Sequence, residues 1–273
     1  MTYKIKKIII LSIAILLFIS INYFINSRNN KNIAKESDIG NNSLNYENPK
    51  EMSNIIDTNP IEYKYKKLEK SYNMTQIDRE TMTKIVKKID IREDFDFYIY
   101  TKPPEDEYAY YAAVKINNIF YEIGEIGYKG LNLENSIEVS RSSYKNTFII
   151  QGGLGANYVV TYYIAIEDKE PMILFDAYSV SEVDLDGDGE IEFVDSFSGM
   201  TSIYRIKNKE VYYISVNDLF KKFKKPVNRI FFEREKNAFL IELNSTDSNK
   251  LYDYERYIYT PNGFKEIEKP TFE

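Results

Sequence analysis

Six carboxylates crowd one stretch of twelve residues: Asp184, Asp186, Asp188, Glu190, Glu192 and Asp195. From Asp184 to Glu192 an acid stands at every second position, with Gly187 and Gly189 among them. Ca²⁺ takes about 6–8 oxygen ligands at about 2.3–2.6 Å, and a tight loop that turns alternate side chains toward one point supplies them. In an EF-hand loop the ligands come from positions 1, 3, 5, 7 (through its carbonyl), 9 and 12, with Gly at 6. Counted from Asp184, those ligand positions hold Asp184, Asp186, Asp188, Glu190, Glu192 and Asp195, and Gly189 falls at the sharp turn. Ile191 is placed to pin the loop to a core. Charge points the same way. From Glu170 to Tyr204 the chain carries nine acids and no Lys or Arg, and like charges so close repel one another without a counter-ion. Ca²⁺ is expected over Mg²⁺, which keeps its waters and needs stricter geometry. The competing reading is a solvated acidic turn.

The flanks do not suit an EF-hand, which needs a helix on each side. Tyr178 to Val183 and Ile191 to Phe197 read as extended. An Asp-x-Asp-Gly-Asp-Gly-x-x-Glu run between strands resembles the calcium loops of FG-GAP and VCBS-type repeats of extracellular β-domain proteins, over about residues 182–194 and in one copy. The resemblance implies a strand–loop–strand unit. In it Asp184, Asp186, Asp188 and Glu192 ligate Ca²⁺ through side chains and Glu190 through its carbonyl.

Composition removes other chemistries. The 273 residues include no His and no Cys. That excludes Ser-His-Asp and Cys-His catalysis, His-bearing zinc sites, thiolate clusters and disulfides. A Gly cluster, Gly152-Gly153-Leu154-Gly155, lacks the Gly-Lys-Ser/Thr ending of a phosphate loop and precedes a strand, so it reads as a hairpin turn or a close backbone contact. The 25 Tyr and 16 Phe suit strands; a sugar-stacking surface is the functional alternative.

The elements that must position the acidic loop follow from the hydrophobic pattern. Met1 to Lys7 is basic, and Ile8 to Ile25 is an apolar run of 18 residues, about the minimum to cross a ~30 Å hydrocarbon core as a helix. Residues 1–25 therefore read as a transmembrane signal anchor with its N-terminus in the cytoplasm. Bulky residues from Asn22 to Arg28 disfavour cleavage; a cleaved signal peptide is the alternative. Residues 26–60, rich in Asn, Lys, Ser and Glu, read as a flexible linker. Residues 61–273 read as a mainly β extracellular domain. Short Tyr-, Phe-, Ile- and Val-rich runs are separated by breaks such as Asn117-Asn118, Asp168-Lys169 and Asn208-Lys209. Antiparallel meanders in an open stack are favoured over a propeller-like or sandwich arrangement. Two helices are expected. One is amphipathic, over Thr75 to Ile89, with apolar residues at 82, 85, 86 and 89; the other is short, over Val216 to Phe223, and is ended by Pro226.

Charge is uneven. Residues 1–31 hold five bases and no acid, which leaves 31 bases against 42 acids in the rest. So acidic a body argues against nucleic acid as a partner. The whole reads as a single-pass protein of the cytoplasmic membrane with a calcium-binding body outside it, non-catalytic, in envelope organisation, adhesion or sensing. A cell-envelope glycan or protein is the expected partner. The alternatives are a glycan-binding module and a carboxylate-dependent glycan hydrolase at the cell surface.

Overall fold

The computed structural model describes residues 59–69, 72–92, 94–103, 108–144, 146–155, 158–223, 226–247 and 250–267. Runs that alternate or are wholly apolar form strands, and the strands form four antiparallel meanders in chain order. The first holds β4 (Lys84–Arg92), β5 (Phe95–Thr101), β6 (Ala109–Ile116) and β7 (Ile119–Tyr128). The second holds β8 (Ile137–Val139), β9 (Thr147–Gly155), β10 (Tyr158–Glu167) and β11 (Glu170–Ala177). The third holds β12 (Val180–Val183), β13 (Glu192–Phe197), β14 (Met200–Lys207) and β15 (Glu210–Ser215), and is followed by the helix α1 (Val216–Phe223). The fourth holds β16 (Val227–Glu233), β17 (Ala238–Asn244), β18 (Tyr252–Thr260) and β19 (Gly263–Ile267). In the first three meanders the last hairpin closes on two residues with positive φ: Asn117-Asn118, Asp168-Lys169 and Asn208-Lys209. That is the turn whose twist matches paired strands.

A strap precedes the meanders and ties their final strands in reverse order. Ile61 bridges Phe264 of the fourth sheet. β1 (Lys66–Lys67) then pairs with β15, β2 (Tyr72–Asn73) with β11, and β3 (Thr75–Ile77) with β7. These additions cover part of the edges that would otherwise expose unpaired backbone groups.

Strand alternation feeds a different core from each face of each inner sheet. Phe97, Val114, Phe148 and Ile164 fill the space between the first and second sheets. Ile149, Tyr163, Phe175 and Phe193 fill that between the second and third. Val194, Ile203, Phe220, Phe239 and Phe264 fill that between the third and fourth, with Tyr63 and Tyr65 of the strap against them. Each fully buried aromatic is worth about 1.5–3 kcal/mol of transfer. Among the described residues no core cluster joins the fourth sheet to the first, so the array is an open stack. Gly152 is needed for its closeness: a Cβ there would lie 1.6 Å from the Ile126 carbonyl oxygen. The Gly cluster is thus a close backbone contact inside β9.

The helix expected over Thr75 to Ile89 is not formed. β3, a 3-10 turn (Arg79–Thr81) and β4 take its place. The physical cause is a bulge between Ile85 and Lys87. Before it, Met82 and Ile85 face the outer side of the first sheet with Tyr98 and Tyr100; after it, Ile89 and Ile91 face the second sheet. The extra residue, Val86, points to solvent. A bulged strand thus reproduced helical spacing. The short helix over Val216 to Phe223 forms as expected. The anchor, residues 1–25, and the linker up to residue 58 lie outside the described residues. Among the described residues no helix is long and apolar enough to cross a membrane.

Candidate metal centre

The acidic loop joins β12 to β13, whose pairing of Val183 with Glu192 fixes its two ends. Leu185 is its buried pin, packed with Val194 and Phe239. Ile191, expected in that role, is half-buried. Gly187 and Gly189 have φ of 77° and 87°, a region L side chains rarely enter. Their N–H groups donate to the two Asp184 oxygens, at 2.8 and 3.0 Å. Asp186 accepts from Asp188 N–H (3.3 Å) and Asp188 from Glu190 N–H (2.8 Å). Each aspartate therefore shapes the loop with one or both oxygens. One carboxylate oxygen from each of Asp184, Asp186 and Asp188 lies within 4.8 Å of the other two.

The other three expected ligands stand apart from this trio. The Glu190 carboxylate turns away to accept from Ser143 Oγ at 2.7 Å. Glu192 begins β13, and its side chain is 0% exposed. One of its oxygens accepts from Leu185 N–H at 2.8 Å. Asp195 lies on the opposite face of β13 from Glu192, because the two are an odd number of strand positions apart. It accepts from the Ser179 and Tyr178 N–H groups (2.9 and 3.3 Å). Burial pushes the Asp195 carboxyl up, against those two N–H donors.

Arg205 of β14 is the residue that the sequence reading missed. It stands one position beyond the acid-only stretch. Its Nε donates to Glu192 Oε1 at 2.5 Å, and one Nη donates to Asp186 Oδ2 (3.2 Å) and Asp188 Oδ2 (3.0 Å). The guanidinium is 28% exposed, Asp186 3% and Asp188 43%. The Tyr65 ring of the strap lies 5.7 Å from its Cζ. Burial lifts the Glu192 carboxyl to about 7, against the pull of Leu185 N–H and Arg205. Burial also raises Asp186, helped by Asp188 and Asp184 and opposed by Arg205. Burial works against the charge of Arg205, and Glu192 more than restores it.

Asp184, Asp186 and Asp188 bring three carboxylates together, and Glu192, lifted to about 7, adds only part of a charge at neutral pH, against one guanidinium. Negative charge therefore remains in excess on the loop, and the donors are all hard oxygens of the kind Ca²⁺ accepts. A neighbouring loop braces the site. Glu182, buried in β12, accepts hydrogen bonds from Ser140 Oγ and from the Arg141 N–H. Asn237 donates weakly to the Asp184 and Leu185 carbonyls. No protein-family model matches the chain, and no curated protein or solved structure is significantly similar to it.

Proposed function

We propose that the protein is a calcium-binding β-stack held at the outer side of the cytoplasmic membrane by residues 1–25, with a non-catalytic role in envelope organisation, adhesion or sensing. The observation that carries the calcium reading is the trio of Asp184, Asp186 and Asp188 oxygens within 4.8 Å on a loop with both glycines at positive φ. Glu190 would add its carbonyl, and Glu192 would add its carboxylate on release from Arg205. The ion would supply fixed positive charge that holds the β12–β13 loop and relieves repulsion among the aspartates. Extracellular calcium modules bind with Kd of about 10⁻⁴–10⁻³ M. At tenfold excess over Kd the linkage stabilisation is roughly 1.4 kcal/mol. The non-catalytic reading rests on how the acids are employed: they hydrogen-bond the loop backbone or pair with Arg205.

Thermal melting of the full chain in EDTA and in millimolar CaCl₂ tests the site. A rise in melting temperature with calcium that vanishes in Asp186→Asn/Asp188→Asn supports it. Identical melting of the wild type in both buffers would leave the loop a solvated acidic hairpin. Protease added to intact protoplasts tests the location: digestion of the body with retention of an N-terminal fragment in the membrane is expected.

A further inference from the structure

The strap forms one edge of the third sheet, and the acidic loop leaves from the strand at the other; the order is β1-β15-β14-β13-β12. One row of residues crosses the sheet between them. Lys67 of the strap pairs with Tyr212 of β15, and Tyr212 with Arg205 of β14. Arg205 Nε then donates to Glu192 Oε1 of β13. The guanidinium stands in the middle of this row and serves both ends. On the loop side it donates to Glu192, Asp186 and Asp188. On the strap side its Cζ lies 5.7 Å from the centre of the Tyr65 ring, within the about 6 Å reach of a cation over an aromatic face.

Tyr65 is where the strap changes partners. Before it, the strap belongs to the fourth sheet. Ile61 bridges Phe264, and Tyr63 stacks on Tyr259 at 4.9 Å and donates to the Thr260 carbonyl at 3.1 Å. The Tyr65 hydroxyl itself meets that of Tyr259 at 2.9 Å. After it, β1 joins the third sheet through two residue pairs, and Leu68 N–H donates to the Val211 carbonyl at 2.8 Å. So short a strand contributes little pairing. Its side-chain holds on the third sheet are the exposed Lys67–Glu210 pair, of a kind worth little, the half-buried Leu68, and the Tyr65 ring beside Arg205.

We propose that Arg205 couples the loop to the strap, so that a cation taken up by the loop releases Tyr65 and loosens β1 from the third sheet; the inference rests on the calcium reading for its effector. An ion that shares the Asp186 and Asp188 oxygens and takes Glu192 removes all three acceptors of the guanidinium. The ring face that is left does not offset the desolvation of an unpaired charge. The guanidinium, already 28% exposed, turns to water, and Tyr65 loses its cover. Losing a cation–π contact is worth roughly three- to tenfold in an opening equilibrium. Coupling is reciprocal: whatever lifts β1 off β15 tightens the ion by the same factor. β2 and β3 pair with the second and first sheets, away from Arg205, and do not respond.

Hydrogen exchange of the full-length chain, resolved at Leu68, reads the strap, and calorimetric titration reads calcium. In the wild type the Leu68 N–H should exchange roughly three- to tenfold faster in millimolar CaCl₂ than in EDTA, with the β3 amides unchanged. Arg205→Ala should raise the Leu68 rate in EDTA to that level or above and abolish its response to calcium. Tyr65→Leu keeps apolar bulk and every acid of the loop, so it should still bind calcium while Leu68 stays fast in both buffers. Calcium uptake by the wild type with Leu68 unchanged or slowed, or with β3 accelerated equally, overturns the coupling and leaves the calcium site standing. Wild-type exchange at Leu68 in the Arg205→Ala chain in EDTA also overturns it. A wild type that takes up no calcium, while Arg205→Ala alone frees Leu68, refutes calcium as the effector and keeps Arg205 as the hold on the strap.

Discussion

Replacing Arg205 by Ala should weaken the calcium-free fold and strengthen calcium binding. Without the ion, the variant leaves Glu192 Oε1 buried with no cation, while Oε2 keeps the Leu185 N–H. Removing one partner of a buried pair costs about 3–5 kcal/mol. The contact to the half-exposed Asp188 adds little, and the partial exposure of Arg205 reduces the rest, so a loss of about 2–3 kcal/mol is expected in EDTA. With the ion the sign reverses. A guanidinium nitrogen 3.0–3.2 Å from the Asp186 and Asp188 oxygens stands on the order of 5 Å from an ion that shares them. Even at the dielectric constant of water, a divalent and a monovalent charge at that distance repel by about 1.7 kcal/mol. Deleting the competitor should tighten calcium roughly tenfold or more. Urea unfolding in EDTA and in CaCl₂ gives the stabilities, and calorimetric titration gives the affinity. The variant should lose less stability in calcium than in EDTA. Equal loss in both buffers, or an affinity unchanged or weaker, would refute the competition between Arg205 and the ion.

Gly152→Ala should destabilise by about 3 kcal/mol or more through collision with the Ile126 backbone, whereas Gly155→Ala, with open space around its Cβ, should stay within about 1 kcal/mol; melting temperatures of the two compare them directly. Burial pushes the Glu233 carboxyl up, but Arg256 and Lys236 outweigh it and hold it below its usual value. The stability this contributes is present above the ordinary carboxylate range and disappears as pH falls through the lowered value. Arg256→Ala should thus cost roughly 1–2 kcal/mol at neutral pH and progressively less as pH falls through that lowered value, read by denaturation across pH. Asn217 is buried in α1, accepts from Thr201 N–H at 2.7 Å and donates to the Gly199 carbonyl at 2.9 Å. Asn217→Ala should cost about 2–3 kcal/mol by orphaning both groups, and hydrogen exchange at Thr201 should rise with it.

What the sequence disclosed about the fold depended on whether the signal was carried by side chains. The hairpins at Asn117-Asn118, Asp168-Lys169 and Asn208-Lys209 were readable because Asn and Asp tolerate positive φ and the flanking runs have strand composition. The helix over Val216 to Phe223 was readable from its apolar spacing and from Pro226. The strap was not. β1, β2 and β3 have two or three residues each and join sheets chiefly through backbone pairing, which no side-chain pattern announces. The bulge in β4 did more harm, because one extra residue switches the face of everything after it and imitates a helical period.

The candidate site divides along the same line. Asp184, Asp186 and Asp188 come together because a tight turn is a local structure. Asp195 does not join them, since the chain leaves the loop as a strand and period two sends it to the other face. Arg205 enters from a different strand, and a count from the turn would have found it. Ser198-Gly199, both at positive φ, pairs Phe197 with Met200 and, four steps on, Phe193 with Tyr204. The next step brings Glu192 beside Arg205. The acid-only stretch from Glu170 to Tyr204 therefore overstated the uncompensated charge: strand pairing returns a guanidinium to the loop. Repulsion among the acids is then a weaker argument for calcium than their geometry, and the excess negative charge around hard oxygen donors still suits a divalent ion that displaces a side chain rather than fills a void.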